Sequence, residues 1–335
     1  MLKIPVKSTN SIRIDLDRIW VTLRQTLLSI APEEATCKTR GFQVKNNLIA
    51  QRLEKIGYTF LDGYHAAIGT TDNQLLIAHL HTIENEWQGF AYEGAAMGLK
   101  LLESLSLGYS QRLQNFLMGA GSPHIYMSYV GIGWALARLP GGVSRYLTKL
   151  RQSANYPDPL LGWLAIDGYG FHQGYFYAQK FIEQQVIPKD LSGYAFNVFD
   201  QGLGRSLWFV KGADIEEISR TIEAFPTPRQ ADLWSGIGLA ATYAGGVNRD
   251  EMLSLKARGQ AYLPEIAQGA AFAAKTRIRA GNLTEPTEMA CQVLGGMSAP
   301  EASKITDLAL EGIGSDYHLW RQRIQAYFVQ EGVKP

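Results

Sequence analysis

The stretch FDQGLGRSLWF (199–209) carries a glycine four positions before a second small residue, Gly202 and Ser206. The same spacing recurs at Gly94/Gly98, Gly131/Ala135, Gly174/Ala178, Gly236/Ala240 and Gly269/Ala273, with a weaker copy at Gly63/Ala67. Residues four apart lie one above the other on an α-helix, so the pattern predicts a ridge without side chains on which a neighbouring backbone packs closely. A glycine or alanine also stands two positions after the first glycine, and Phe176 is the exception among the six.

The distances between the first glycines, 28 to 43 residues, are typical of helical-hairpin repeats. Glycine-rich turns at 139–142, 210–214, 244–247 and 279–282 are expected to end these helices. Asp214 and Asn248 are expected to begin the more polar helices that follow. The segment NYPDP (155–159) is expected to account for the longest interval.

This spacing predicts an all-α fold: a curved, right-handed array of helical hairpins, or TPR-like α-solenoid, with small-residue helix–helix packing. Residues 1–41 are expected to form an N-terminal extension with one helix, and residues 42–335 a single helical-repeat domain. A terminal repeat must expose one face to water, which explains why the anchor pattern is lost after about residue 280.

Composition excludes several classes of protein. A net charge of +1 gives no electrostatic signal for nucleic acid, and no apolar run is long enough for a membrane span. The two cysteines, Cys37 and Cys291, lack the spacing of a zinc site or a disulfide framework. A cytoplasmic protein is therefore expected, and self-association into a homo-oligomer is left open.

Candidate site residues precede or follow the glycines. If the glycine-bearing helices stack side by side, these residues line one concave wall that resembles a ligand pocket. The candidates for proton transfer are His172, Glu93, Asp200 and Asp232, and those for substrate binding are Arg205, Tyr92, Tyr129, Tyr169, Tyr175 and Trp234.

Structural roles compete with these assignments. Asp200 and Asp232 are equally explained as helix caps that accept backbone N–H groups. Arg205 is equally explained as the partner of Asp200 or of another buried acid. His172 lies among aromatic residues in a position to be tuned for acid–base chemistry, but an isolated histidine of this kind is more often a hydrogen-bonded core residue.

Motifs for cofactors and metals are missing from the sequence. The GIG and GLG tripeptides match neither a dinucleotide-binding nor a P-loop spacing. His79 and His81 are two residues apart, so they point in different directions on a helix and do not suggest a metal site. The sequence predicts no cofactor and no metal.

Several blocks together resemble one bacterial family: EGAAMGLKLL, VGIGWALARLP, DGYGFHQGYF, FDQGLGRSLWFVKGAD, DLWSGIGLAATYAGG and AAFAAKTRIRAGN. They are similar to the UnbL-type domain of unknown function, which is associated with enediyne polyketide gene clusters. The resemblance runs from about Arg40 to Cys291. It implies a role in specialised-metabolite biosynthesis beside partner proteins of the same clusters, and it supplies no catalytic residues.

Two functional hypotheses remain open at this stage. In the first, the protein is a cofactor-free tailoring or cyclising enzyme that acts on an apolar, polyene-like intermediate. In the second, it is a non-catalytic helical-repeat scaffold that binds a pathway protein or an intermediate. Convergence of the acidic and histidine side chains in a water-poor pocket would favour the enzyme, and their dispersal around an open groove would favour the scaffold.

Overall fold

A computed structural model describes residues 21–106, 110–153 and 157–331, and these residues confirm the all-helical class. They contain no β-strand. The helix expected in the N-terminal extension is seen from residue 21 and ends at residue 28. None of the described helices is long and apolar enough to cross a membrane.

We number the α-helices in chain order. They are α1 (21–28), α2 (Cys37–Arg40), α3 (Asn47–Gly69), α4 (Asn73–Leu80), α5 (Gln88–Leu105), α6 (Arg112–Met118), α7 (Ile125–Arg138), α8 (Gly142–Gln152), α9 (Leu164–Phe176), α10 (Ala195–Val210), α11 (Ile215–Glu223), α12 (Thr227–Ala244), α13 (Arg249–Arg258), α14 (Leu263–Arg279), α15 (Glu285–Gly295), α16 (Ala299–Leu308) and α17 (Tyr317–Glu331). A π-helical turn, Gln179–Glu183, lies between α9 and α10.

The glycine-bearing helices pack on one another in chain order. The sequence of contacts is α3–α5–α7–α9–α10–α12–α14, and α16 continues it. We call α3, α5, α7, α9, α10, α12 and α14 the anchor helices. The expected helix starts are confirmed where Asp214 caps α11 and Asn248 forms a capping box with Glu251 at α13.

Glycine is required where consecutive anchor helices touch. A Cβ atom on Gly202 would lie 1.9 Å from the carbonyl oxygen of Asp167 in α9, and one on Gly269 would lie 2.1 Å from that of Ser235 in α12. These neighbours are backbone atoms inside helices, so they cannot move aside without displacing a whole helix. The prediction that bare ridges mark close helix contacts is confirmed.

The third anchor pair was assigned to the wrong residues. Ala178 lies beyond the end of α9, and Gly174 faces the Ser206 side chain. The residue of α9 that touches the preceding helix is Gly168, whose Cβ would lie 2.0 Å from the carbonyl oxygen of Val130. With Gly168 as the anchor glycine the repeats are more evenly spaced, so the segment 155–159 is not needed to explain a long interval.

A second glycine, two residues after the first, makes the contact with the next helix. A Cβ on Gly133 would lie 2.2 Å from the Ala165 carbonyl oxygen, and a Cβ on Gly204 would lie 2.1 Å from that of Leu233. Gly63, Gly170 and Gly238 make equivalent contacts. The functional unit is therefore Gly-x-Gly (or Gly-x-Ala), in which each small residue serves a different neighbour.

Contacts between distant repeats bring the array round a common axis. Arg52 of α3 donates from Nε to the Ala244 carbonyl oxygen of α12 at 2.6 Å. Arg277 of α14 donates to the Glu86 carbonyl oxygen, just before α5, at 2.5 Å. The beginning of the array thus meets its later part, and the anchor helices enclose an interior.

The segment 28–42 lies across this interior. Tyr64 of α3 donates its hydroxyl to the Leu28 carbonyl oxygen at 2.7 Å. The Phe42 ring meets the Tyr175 ring edge-on with centroids 5.0 Å apart. The last part of the expected extension is therefore packed against the anchor helices.

Replacement of Gly202 by alanine tests the helix contact. Because the new methyl group would overlap the Asp167 carbonyl, we expect Gly202→Ala to lower the free energy of unfolding by at least about 3 kcal/mol. Gly69→Ala is the control, because its Cβ would meet only the flexible end of Gln25, at 2.9 Å. That variant should change stability by less than about 1 kcal/mol. Urea denaturation followed by circular dichroism measures the unfolding free energy of each variant. Equally small losses in the two variants would contradict a close contact between Gly202 and the Asp167 carbonyl.

Candidate functional site

The interior of the array holds an apolar chamber that is partly open to solvent and spans about 820 Å³ with the space at its mouth included. Six anchor helices, α3, α5, α7, α9, α10 and α12, contribute to its wall, and Ile30, Glu34 and Ala35 cover it from the N-terminal segment. Its wall is rich in aromatic rings: Phe60, Phe90, Trp134, Phe171, Tyr175, Phe176, Phe209 and Tyr243. A concave apolar space with few polar groups is typical of a small-molecule site.

Four of the ten residues proposed from the sequence line this chamber. They are Glu93, His172, Arg205 and Tyr175. Burial raises the pKa of the Tyr175 phenol, so this residue is uncharged. The structure therefore brings these four residues together on one wall and places the other six elsewhere.

Glu93 is the chamber's buried acid. It precedes the anchor glycine of α5 and is 5% exposed. Burial raises the pKa of its carboxyl to about 8; the Arg205 guanidinium opposes this rise and the Asp167 carboxylate adds to it. At neutral pH Glu93 is therefore mostly protonated and can donate a proton.

His172 lines the same chamber in a different electrostatic environment. Burial, helped by the positive charge of Arg138, lowers the pKa of its imidazole to about 3, so the ring is neutral at physiological pH. Its Nδ1 atom is buried and has no hydrogen-bond partner within the described chain. The ring lies among aromatic neighbours, with Phe176 4.7 Å away between centroids. A neutral imidazole of this kind can exchange a proton with a bound molecule.

Arg205 pairs with Asp167, an acid that was not among the sequence candidates. The guanidinium of α10 donates from one terminal nitrogen to Asp167 Oδ1 of α9, and both side chains are buried. Arg205 also lies over the Phe171 ring, 5.2 Å from its centroid. Of the two structural alternatives for Arg205, pairing with an acid other than Asp200 is confirmed.

Asp167 begins a buried chain of hydrogen bonds through the residues that precede successive anchor glycines. Gln201 donates to Asp167 Oδ2 at 2.7 Å, and Ser235 donates to Gln268 Oε1 at 2.9 Å. Ser235 Oγ also lies 3.4 Å from Gln201 Oε1, and Arg321 of α17 donates to Gln268 Oε1 at 3.1 Å. This chain satisfies polar groups that burial would otherwise leave unpaired.

Asp200 and Asp232 do not reach the chamber. Asp200 accepts two hydrogen bonds from Arg229, at 2.8 and 2.6 Å. Burial raises its pKa to about 6, and Arg229 limits the rise. Asp232 accepts from Asn197 and pairs with Arg321, each at 2.8 Å. The cap interpretation is also wrong, because both residues lie inside helices and form ion pairs.

The remaining aromatic candidates are core residues outside the chamber wall. Tyr92 stacks on His124 with centroids 4.2 Å apart, and Tyr129 accepts from the backbone N–H of Asp158. Tyr169 packs beside Phe199, and Trp234 is 2% exposed. None of these four side chains lines the chamber described above.

The position of a residue relative to the anchor glycine explains which residues line the chamber, including those that were not sequence candidates. Relative to the anchor glycine, residues at positions −1, +3 and +7 share one helix face. That face supplies Glu93 at −1, Trp134 and Arg205 at +3, and Arg138, Phe209, Tyr175 and Tyr243 at +7. Residues at −2, such as Tyr92, Asp200 and Trp234, point away. The sequence candidates that precede the glycines come from both positions, and this explains why only some of them line the chamber.

The matched region of a protein-family model covers residues 19–328, and the model describes a protein of unknown function, DUF1702. The chain belongs to the DUF1702 family. Comparison with curated proteins and with solved structures gives no match. Membership in DUF1702 fixes no chemistry, so the chemistry of the site has to come from its own side chains. Among the described residues, no three His, Cys, Asp or Glu side chains are grouped so that they could hold a metal ion.

The pH dependence of stability tests the buried state of Glu93. Its folded pKa is about 8 and the ordinary value is 4.5, so the folded state retains a proton that the unfolded state loses in this interval. The free energy of unfolding should therefore fall as the pH rises from about 4.5 to 8. Glu93→Gln lacks this titrating group, so its free energy of unfolding should rise relative to that of wild type by on the order of a few kcal/mol over that range.

Urea denaturation at several pH values gives this difference directly. The contribution of Asp200 is common to both proteins and cancels. Glu84→Gln, at an exposed acid, should leave the pH profile parallel to that of wild type. A parallel profile for Glu93→Gln would show that Glu93 is ionised in the folded protein.

Removal of the Asp167 charge tests the buried ion pair. Asp167→Asn keeps the shape of the side chain but leaves Arg205 as an unpaired buried charge, so we expect a loss of about 3–5 kcal/mol in unfolding free energy. Glu84→Gln breaks the exposed pair with Lys55, which is 3.3 Å long, and should cost less than about 1 kcal/mol. Chemical denaturation measures the loss of unfolding free energy in both variants. Similar losses would contradict a buried ion pair between Asp167 and Arg205.

Proposed function

We propose that this protein is a cofactor-free enzyme of specialised-metabolite biosynthesis that isomerises or cyclises an apolar, polyene-like chain by proton transfer. The observation that carries the proposal is a carboxyl group, Glu93, that is mostly protonated at neutral pH on the wall of an aromatic chamber. A raised carboxyl pKa of this kind suits a general acid.

The proposed step is balanced without an oxidant or a reductant. The Glu93 O–H bond breaks, its proton forms a C–H bond at one end of a carbon–carbon double bond, and a cation develops on the chain. The cation rearranges or closes a ring and then loses a proton, which restores a double bond. A neutral imidazole nitrogen of His172 accepts that proton, and exchange with solvent returns one to Glu93. The product is an isomer of the substrate.

Aromatic rings support this chemistry because their faces attract cations. Trp134, Phe171 and Tyr175 lie within 6 Å of one another between ring centroids, on adjacent helices α7 and α9. The apolar lining also limits the water that could trap a reactive cation. These two features favour cation chemistry over hydrolysis.

The pathway assignment is part of the same proposal. The sequence blocks resemble the UnbL type, and this resemblance suggests an enediyne or related polyketide cluster as the source of the substrate. In this proposal the chain works in the cytoplasm beside pathway proteins. Its two cysteines are buried and free, which is compatible with a reducing compartment.

The alternative of a non-catalytic scaffold requires an accessible concave surface. We interpret the array as a TPR-like α-solenoid wound tightly enough for distant repeats to meet, as in the Arg52–Ala244 contact. Open solenoids keep contacts between neighbouring repeats alone. Because the concave side here encloses an apolar chamber, the arrangement favours a small molecule over a partner protein as the occupant.

Deuterium incorporation tests catalysis before the product is known. The purified protein is incubated in D₂O with the apolar fraction of an extract from the producing cells, and mass spectrometry detects compounds that gain deuterium or change retention. We expect wild type to label at least one polyene compound. Glu93→Gln should reduce labelling by at least about 100-fold, the usual scale of a general acid's contribution.

Asp200→Asn is the matched control. It makes the same acid-to-amide change at a buried acid outside the chamber, so labelling should persist in the folded variant. His172→Phe should also reduce labelling, because it keeps a ring and removes the nitrogen. Retained labelling in Glu93→Gln would overturn the proposed mechanism, and loss of all labelling in wild type would remove the enzymatic function.

A further inference from the structure

A second cavity adjoins the chamber. It spans about 420 Å³, with the space at its mouth included, between α7, α9, α10, α12, α14 and α17. Its wall is mostly apolar and includes Met127, Leu164, Phe272 and Trp320. Two residues, Arg205 and Leu239, line both spaces. We call the boundary formed by Arg205 and Leu239 the junction.

Arg205 presents an unused hydrogen-bond donor at the junction. One terminal nitrogen of its guanidinium is bonded to Asp167, but its Nε–H is buried and has no partner among the described residues. The residue is 6% exposed. A buried donor without an acceptor is costly, so an acceptor oxygen supplied by a ligand would recover that cost.

We propose that the chamber and the second cavity form one elongated site for a single chain-like apolar molecule whose one neutral oxygen, a carbonyl or ester oxygen, accepts from Arg205 Nε at the junction. The inference rests on the proposed function insofar as the ligand is apolar. It adds the length of that ligand and the position of its polar group.

The charge of the junction selects a neutral oxygen over a carboxylate. The positive charge of Arg205 is already balanced by the buried carboxylate of Asp167. Lys275, the other cation on the wall of the second cavity, is paired with Asp307. A ligand carboxylate would therefore add a buried negative charge without a free cation to balance it, and its desolvation cost is large. A carbonyl oxygen gains the hydrogen bond without this cost.

The lining of the two spaces selects a chain over a compact molecule. Leu239 comes from α12 and Arg205 from the neighbouring α10, so these two side chains lie at the boundary between the chamber and the second cavity. A globular ligand would fill the chamber and leave the second cavity unused. A linear chain buries apolar surface on both sides of the junction.

The experiment measures affinity as a function of chain length. The methyl ester of parinaric acid, a fluorescent conjugated tetraene, serves as the reporter, and saturated fatty-acid methyl esters of about eight to about twenty carbons compete with it. Each methylene that enters an apolar site should increase affinity by about fourfold. In wild type the increase should continue until both cavities are filled.

Two variants block the second cavity while leaving the chamber open. Leu239→Phe fills the junction and Leu164→Phe narrows the second cavity itself, so affinity should stop rising at a shorter chain length in both. Leu53→Phe, at a residue that lines the chamber and not the second cavity, should weaken binding at every length without shortening the chain at which the rise ends. Two independent variants keep the test decisive if one of them does not fold.

Replacement of the ester by the free fatty acid of equal length tests the oxygen. We expect the carboxylates to bind at least about tenfold more weakly than the esters, because burial of an uncompensated charge costs more than the roughly 1.4 kcal/mol that a tenfold change represents. Equal or tighter binding of the carboxylates would overturn the neutral-oxygen assignment.

The outcomes distinguish this inference from the function on which it rests. If the reporter binds but the rise ends at the same chain length in wild type, Leu239→Phe and Leu164→Phe, the two-cavity site is wrong and an apolar chamber remains. If no reporter binds to the folded wild-type protein, both the inference and the proposed apolar ligand are wrong.

Discussion

The close approach of a glycine Cα to a backbone carbonyl oxygen is the constraint on which this fold depends. Each central anchor helix contributes one small residue to the helix before it and another, two positions later, to the helix after it, as Gly202 and Gly204 show against Asp167 and Leu233. Since no side chain separates the backbones, each helix pair has one closely fitting arrangement. Repetition of that arrangement brings the array round far enough for Arg52 to reach Ala244.

The same contacts determine which side chains face inward. Once the anchor glycine touches its neighbour, the residue before it lies toward the axis, and the residues three and seven positions later lie on the same face. The inward positions hold aromatic residues around the chamber and hydrogen-bonding residues along the Asp167–Gln201–Ser235–Gln268 chain. Glu93 occupies the same position in α5 without joining that chain, which explains why its carboxyl is free to face the chamber.

Much of the architecture could be predicted from the sequence, because small residues four apart on a helix have few other uses. The error in the third anchor helix has a physical cause. Gly174 and Ala178 satisfy the spacing for a bare ridge, but contact with a helix on each side needs a Gly-x-Gly or Gly-x-Ala unit, and Gly168 and Gly170 provide it. Phe176, the one exception to the small-residue rule at the second position, indicated that the assignment was wrong.

The site was harder to predict because pairing partners lie far apart in sequence. Nothing near Asp200 indicates that Arg229 will bind it, and nothing near Arg205 indicates that Asp167 will. Residues −2 and −1 are adjacent in the chain, but their side chains leave the helix in directions about 100° apart. His172 and Glu93 could be found by residue type and neighbourhood, whereas Tyr243 and Trp134 required the helix register.

Because the anchor helices touch through backbone atoms, the residues that fix the helix packing are different from the residues that line the chamber. A substitution at Trp134, Phe171 or Phe209 changes the volume and polarity of the interior, yet it leaves untouched the glycine and carbonyl atoms that fix how neighbouring helices cross. One arrangement of helices is therefore compatible with many different sets of side chains around the chamber. Diversification of ligands within such a family would require no rearrangement of the scaffold that surrounds them.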